Sequence, residues 1–578
     1  MKKALALVIA LVMVFALFAG CSKSDSKAET GKTDNTPSGS SSASASTGTA
    51  AKPGTSVEAA AESTHTETVD LASEEVSVHP SDDATFRFAL NTDIGYLTQT
   101  GHAFGSAGTG TLFFGESLFR WNSDTCEVEP FIATGAEWID DTTLRVKIRD
   151  DITSVLGDPF TANDILFSFQ WGNETAALAQ YFNFFDMDNT KVVDDYTIDL
   201  AVKAPYPFLT LDLCHGVYHV ACEKSIETIG GKEAAAMNPN GLTGPYKMTK
   251  LDEVSQVCYA ERRDDYWGVM PYYKYLEIYS VTDANTRAMG IEAGDYDFAM
   301  NPSSASVAAA DGKSSKGWYI AGAGRFCNFA INSDHEPLNI KEVRQAMALA
   351  INYEAMVQIA GGGNGMVSDS AFSSPINTFS YTEAKNPDNC FLGRTDLELA
   401  KQKLADAGYA DGFTINCYYK STDPVISNCA DLLKNQLGQI SINLELQPID
   451  NATFNSITRT ADWDTHLSTN GNPNPKRTLT PLDPRLSPQT ATGWAGASWA
   501  DGLDVGTLID KCVQTVDDAE RMKAFEEFND LCREYVPQII LYCPYIQFLS
   551  SPAITNVPVG SQGGPECCRI FPAEYIEG

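Results

Sequence analysis

The chain has 578 residues, 75 acidic against 41 basic, and a formal net charge of −34. No stretch gathers Lys or Arg with aromatics on one face, so the balance excludes nucleic acid as a partner and assigns the acidity to solubility. The elements begin with an export signal. Lys2 and Lys3 precede an uncharged apolar run from Ala4 to Gly20, which stops at Cys21 in "LFAGC". A charged start, a short apolar core and small residues before the stop mark a secretory leader, and the run is slightly short of the roughly 20 residues a membrane span needs. Residues 22–81 are Ser, Thr, Ala, Gly and Lys with almost no large apolar side chains. Such a segment cannot offset the entropy of ordering and reads as a flexible tether. The remainder, 82–578, is too long for one core and predicts two or three lobes.

"TFRFALN" (85–91) alternates Phe86, Phe88 and Leu90 against Thr85, Arg87 and Ala89, as a strand does. "TLRVKIR" (143–149) sets Leu144, Val146 and Ile148 against Arg145, Lys147 and Arg149, a half-exposed antiparallel strand. "TANDILFSFQW" opens a helix with Thr161 as N-cap, Asp164 in the first turn, and Ile165, Leu166 and Phe169 on one face. "CHGVYHVAC" puts Cys214, His215, His219 and Cys222 together, with the two histidines at the i, i+4 spacing that a helical zinc site uses. "LTGPYKMTKLDEVSQVCYAERRDDYWG" (242–268) predicts a hairpin. Thr243, Gly244 and Pro245 bend into the first arm, Tyr246 and Met248 face Val257 and Tyr259, and Tyr266 with Trp267 buries the end of the second. "GGGNG" (361–365) has neither a strand before it nor a GK[ST] after it, so it is a flexible link and no phosphate loop. "TDLE" predicts a capping box of Thr395 and Glu398, on a helix through Leu397, Ala400, Leu404 and Ala407 that Gly408 stops. "FTINCYY", the helix "ADLLKNQLG" and "INLELQPI" then give a βαβ order and a parallel sheet. Besides Cys21 there are thirteen cysteines without a CxxC pair, read mainly as small buried apolar residues, with adjacent Cys567 and Cys568 left open between disulfide and thiols.

Six stretches in order carry a resemblance. They are "EPFIATGAEWIDDTTLRVKIRDDI" with "DPFTANDILFS", the hairpin's "LTGPY" and "YWG", "VTDANTRAMGIEAGDYD", "NFAINSDHEPLNIKEVRQAMALAINYEAMV", "ELAKQKLADAGYADGF" and "LIDKCVQTVDDAERMKAFEEFNDLCREYVPQIILY". Together they resemble the bacterial extracellular solute-binding proteins of family 5, the peptide and nickel type receptors of ABC importers. Leu242 stands where the family's hairpin signature has its first glycine. The resemblance implies an α/β, periplasmic-binding-protein-like clamshell of type II, cluster C-like, with two main lobes plus a smaller extra lobe. By analogy lobe I takes 82–120, 236–327 and 547–578, the small lobe II takes 121–235, and lobe III takes 328–546. "LFAGC" resembles a bacterial lipobox, with Phe18 where leucine is usual, which would place a lipid on Cys21 and make residues 1–21 a lipoprotein signal.

The implied function is an extracytoplasmic, lipid-anchored receptor, on the outer face of the cytoplasmic membrane or in the periplasm. It captures a peptide or peptide-like solute by hinge closure and delivers it to permease subunits as a monomer. No catalysis, metal or cofactor is expected. The peptide-binding members pair an aspartate with the ligand amine, and the matching stretch "WDTHLSTNGNPNPKR" offers Asn470, Asn472 and Asn474 instead. An ammonium without a counter-charge is costly in a closed cleft. Either another carboxylate such as Asp93 serves, or the solute is no ordinary peptide; the asparagines equally suit a plain turn. Tyr96, Met300 and Asn301 match family cleft positions, with a core or loop role the alternative. Oligosaccharides, opine-like metabolites and metal chelates stay open as solutes. A surface hydrolase has less support, because no GxSxG or HExxH occurs. The Cys214–Cys222 zinc reading is weakened by its place in the small lobe, expected to lie far from the cleft.

Overall fold

The computed structural model describes residues 76–91, 113–175, 178–421, 424–460, 462–486, 495–500, 502–560 and 565–577. Strand β1 (Thr85–Leu90) is followed by a ribbon of β2 (Phe119–Asn122) and β3 (Glu127–Pro130). Next come β4 (Ala133–Asp140), β5 (Thr143–Ile148), β6 (Lys191–Asp194) and β7 (Thr197–Ala201). The chain continues through β8 (Tyr246–Asp252), β9 (Val257–Arg262), β10 (Tyr275–Ser280), β11 (Phe298–Ala299) and β12 (Lys316–Ile320). Then follow β13 (Arg325–Ile331), β14 (Gly365–Met366), β15 (Phe413–Lys420), β16 (Ile442–Ile449), β17 (Thr465–Gly471) and β18 (Gln538–Pro544). Strands β19 (Ile546–Ser550), β20 (Ile554–Asn556) and β21 (Phe571–Pro572) come last. Three larger sheets result: seven-stranded β12-β19-β11-β1-β10-β9-β8, six-stranded β14-β18-β13-β17-β15-β16, and four-stranded β4-β5-β7-β6. The fold is mixed α/β, and no helix among the described residues is long and apolar enough to cross a membrane.

Alternation places the strands. In β5, Leu144, Val146 and Ile148 are buried and pair antiparallel with β4 and β7, as expected. In β1, Phe86, Phe88 and Leu90 enter one core while Ala89 enters a second on the opposite face. A strand paired in parallel with both β10 and β11 is covered on both sides, which its sequence shows only as a small residue at 89. Strands β15 and β16 are parallel, with the helix Pro424–Gly438 between them. Thr161 caps Ala162–Glu174, its N–H donating to Asp164 Oδ2 at 2.7 Å. Gly408 stops the helix Leu397–Asp406 at φ +86°.

Two local expectations are corrected. The cap of Leu397–Asp406 is Asp396, whose Oδ1 accepts from Leu399 N at 3.1 Å; Thr395 is engaged elsewhere, donating its hydroxyl to Ile351 O at 2.6 Å. In the hairpin, Tyr246 faces Arg262 and Met248 faces Ala260, instead of Val257 and Tyr259. The turn is short, with Gln256 at φ +55°, so the ladder starts at Asp252 opposite Val257 and passes a bulge between Met248 and Lys250.

The cysteines behave as small apolar residues. Among the described residues thirteen occur as thiols, Cys567 and Cys568 included, and all are buried except half-buried Cys214 and Cys568. One apolar core runs through the four-stranded and six-stranded sheets together, and another fills the seven-stranded sheet.

Candidate functional site

The seven-stranded sheet sets the first half of the site. Strand β1 is parallel to β10 and β11, and β11 and β12 both run antiparallel to β19, so the carboxyl ends of β1, β10, β11 and β12 share one end of the sheet. Ligands of open α/β sheets collect at such ends. Both passages of the chain to the six-stranded sheet leave from there: Ala321–Gly324 joins β12 to β13, and Tyr545 joins β18 to β19, with Ile320 opposite Ile546. The passages lie side by side, since a Cβ on Gly322 would stand 2.7 Å from Ile546 Cδ1 and 3.9 Å from Arg325 Cγ.

The six-stranded sheet supplies the second half. Gly365 lies opposite Pro544, Cys327 opposite Tyr542 and Arg325 opposite Gly471. Extended two residues, that register brings Arg325 to the Pro544 end of β18. Asn364, Tyr545, Gly324 and Asn472 therefore leave the same end of the sheet, on strands about 4.8 Å apart. The turn after β17 rests directly on Gly324, where a Cβ would overlap the Asn472 carbonyl carbon and the Pro473 nitrogen. Asn472 Oδ1 accepts from Asn474 N at 2.9 Å, and buried Asn377 donates to Pro473 O at 3.0 Å.

The anticipated residues fall on both halves. Asn470, opposite Phe326, and Asn472 lie at the β17 end. Met300 and Asn301 follow β11, with the Met300 side chain partly buried against the core and Asn301 exposed at φ +44°. Their carbonyls are held by fully buried Arg287, which donates Nε to Met300 O (3.0 Å), Nη2 to Asn301 O (2.7 Å) and Nη1 to Val281 O (2.6 Å), stitching the ends of β10 and β11 together. Cys21, Asp93 and Tyr96 lie outside the described residues.

Asn474 belongs to a junction with the segment before Cys214. Its Nδ2 donates to Tyr206 Oη and to Asp212 Oδ1, both at 2.7 Å, while its Oδ1 accepts from Lys476 N at 3.0 Å. Asp212, 4% exposed, also accepts from Tyr206 Oη at 2.6 Å and from Arg477 at 3.3 and 3.5 Å. These four bonds fill the carboxylate's lone-pair positions, leaving none for an ammonium. Arg477 lies 4.5 Å over the Tyr181 ring and Lys476 4.2 Å over Tyr206. The contact between Asp212 and Arg477 is a long-range ion pair that no local pattern announces.

The zinc reading does not gain from the geometry. His215 and His219 flank a three-residue turn, Gly216–Tyr218, and so are not on one α-helical face. His215 Nδ1 accepts from Val217 N at 2.9 Å, and Cys214 Sγ lies 3.4 Å from Thr210 O. Burial holds both imidazoles down at about 3. No group of three or more His, Cys, Asp or Glu able to hold a metal occurs among the described residues.

Tyr266 and Trp267 are structural. Their Oη and Nε1 (3.1 Å) donate to buried Glu116, whose carboxyl burial pushes up to about 7. Trp121, on the β2–β3 ribbon, packs with Ala323 of the first passage and lies 6.0 Å from Phe379.

Sequence reasoning missed Arg325, Asn364 and Gln547. Their Nε, Oδ1 and Oε1 are shut off from water with no hydrogen-bond partner. The two glycines within the passage, Gly322 and Gly324 of "AGAGRF", were the available signal for Arg325. The pocket of about 450 Å³ between the helices Val505–Gln514 and Asp518–Tyr535 contains none of these residues.

Comparison with known proteins bears on both fold and site. The family model described as "Bacterial extracellular solute-binding proteins, family 5 Middle" matches residues 127–492. The chain is 25% identical over 340 residues to the glutathione-binding protein GsiB of Pectobacterium atrosepticum, across 58% of this chain and 64% of that one, so it spans under two thirds of that relative's length. NikA from Brucella suis, solved in complex with Fe(III)-EDTA, superposes with a TM-score of 0.72 at 19% identity, covering 85% of this chain and 100% of NikA. DppA from Helicobacter pylori, solved with the peptide STSA, gives 0.66 at 18% identity, covering 85% of this chain and 98% of DppA. At these identities the solved structures establish the fold, that of periplasmic binding proteins.

Proposed function

The chain belongs to family 5 of the bacterial extracellular solute-binding proteins, and on that premise we propose that it is the extracytoplasmic receptor of an ABC importer. It captures a peptide or peptide-like solute between two lobes and delivers it, unchanged, to the permease. The observation that carries this reading is the pair of adjacent passages, Ala321–Gly324 and Tyr545, at the carboxyl ends of β1, β10, β11 and β12. Two short strands side by side are what a hinge requires, and closing the site makes every polar contact inside it stronger. In this reading the seven-stranded sheet is lobe I, the six-stranded sheet lobe III and the four-stranded sheet the small lobe. A relative named for glutathione and a similar structure solved with the peptide STSA support a peptide-like solute. Lipid on Cys21 and the tether 22–81 hold the monomer at the membrane while leaving it reach.

Small-angle scattering of the full chain tests the hinge. Adding a mixed tripeptide library contracts the radius of gyration, and solute released on denaturation is recovered intact by mass spectrometry. An unchanged profile together with hydrolysed library would overturn the receptor in favour of a hydrolase.

A further inference from the structure

We infer that the captured solute is a peptide-like acid and that Arg325 takes its carboxylate. The inference deepens the receptor reading above and rests on it. Arg325 opens β13 where the first passage ends, opposite Gly471 and beside the turn on which the sequence first suggests a ligand amine. Within the described residues nothing accepts from its guanidinium, and its Nε is closed off from water. Arg262 and Arg521 also leave Nε unbonded, but their terminal nitrogens donate to backbone carbonyls, whereas Arg325 has no acceptor on its head group and can take one from a ligand. The planar guanidinium fork matches a carboxylate in two parallel bonds.

The neighbouring charges point the same way. Asp212 is spent on Tyr206, Asn474 and Arg477, and Lys476 meets aromatic rings, so the turn presents cations and amides where an ammonium needs an anion. Two further unpaired atoms lie near the same passages. Asn364 Oδ1 and Gln547 Oε1 are acceptors, one beside β14 at the same sheet end as Arg325 and the other in β19 just past the second passage. Both call for N–H donors, which the amide nitrogens of a peptide-like solute provide.

The test uses the full chain and two mixed tripeptide libraries, one with free C-terminal carboxylates and the same library as C-terminal amides, read by calorimetry. The acid library binds, and the amide library binds about 10- to 100-fold more weakly, the range of a charge-assisted hydrogen bond. Arg325→Gln loses that same factor for the acids alone, and Arg325→Lys restores part of it. Equal response of the wild type to both libraries, or an Arg325→Gln chain that still prefers the acids, overturns the Arg325 assignment and leaves the receptor standing. A wild type that binds neither library sinks the peptide reading, and the carboxylate assignment falls with it. Circular dichroism melts of the variants separate a binding loss from a folding loss.

Discussion

Arg344, fully buried, and Arg325, half-buried with its Nε closed off from water, both belong to the part of the chain that forms the six-stranded sheet, yet they are treated oppositely. Every arm of Arg344 is used: Nε donates to Tyr535 O and Val536 O at 3.1 Å, Nη1 to Leu338 O and Asn339 O at 2.9 and 3.0 Å, and Nη2 to Trp499 O and Tyr535 O at 3.0 and 2.9 Å. No carboxylate bonds to it; backbone carbonyls hold the charge, and burial, only partly offset by the attraction of Glu342, pushes its pKa down to about 10. At the passages, by contrast, Arg325, Asn364 and Gln547 keep polar atoms unbonded. A buried polar group that is fully bonded fastens chain segments to one another, whereas an arginine whose head group has no acceptor can still receive one.

The largest expected effect breaks the bonded side of this contrast. Arg344→Met removes the donor from five carbonyls, on Leu338, Asn339, Trp499, Tyr535 and Val536. Leaving several buried acceptors unpaired costs about 4 kcal/mol. Urea unfolding monitored by fluorescence checks this, and a loss below about 1 kcal/mol would mean that those carbonyls find other donors.

Glu116 sharpens the contrast because its bonding partners compete with its burial. Tyr266 and Trp267 donate to it and Arg263 attracts it, but desolvation outweighs them and raises its pKa from 4.5 to about 7. A carboxyl whose folded value is raised contributes its stability fully below the unfolded value and loses it as pH climbs through the folded one. Stability therefore falls between about pH 4.5 and 7, by up to about 3 kcal/mol from this group. Other groups titrate too, so the measure is the difference from Glu116→Gln, whose pH slope over that window is flatter. Parallel slopes for the two proteins would contradict the assignment.

The sequence carried the local pattern of the fold and little of the site. Strands β1 and β5, the Ala162–Glu174 helix and the parallel β15–β16 pair were readable because alternation, caps and glycine stops act within a few residues. The hairpin was found but its register slipped, since register depends on the turn at Gln256 and on a bulge, neither of which hydrophobic alternation reports. Asn470 and Asn472 were picked out through family resemblance and do lie at the sheet end beside Arg325. Asp212 was not legible at all, because its partners Asn474 and Arg477 are more than 260 residues away. Arg325 was overlooked for a related reason: what distinguishes it is a bond it does not make, and only the folded chain shows which arginines have partners.

The smallest expected effect follows from that absence. With no acceptor among the described residues of the unliganded protein, the Arg325 head group contributes nothing to stability, and only its stem, which passes near Gly322, packs. Arg325→Gln keeps most of that stem and removes a half-buried charge that has no acceptor, so unfolding free energy changes by less than about 0.5 kcal/mol. The same substitution in the presence of the free-acid tripeptide library lowers the ligand-induced gain in melting temperature, because stabilisation by ligand scales with the logarithm of its affinity. A group that fastens the fold loses stability with or without solute; a group that receives the solute loses it only when solute is present. Unfolding curves of wild type and Arg325→Gln, with and without the library, distinguish the two, and equal destabilisation in both conditions would place Arg325 alongside Arg344.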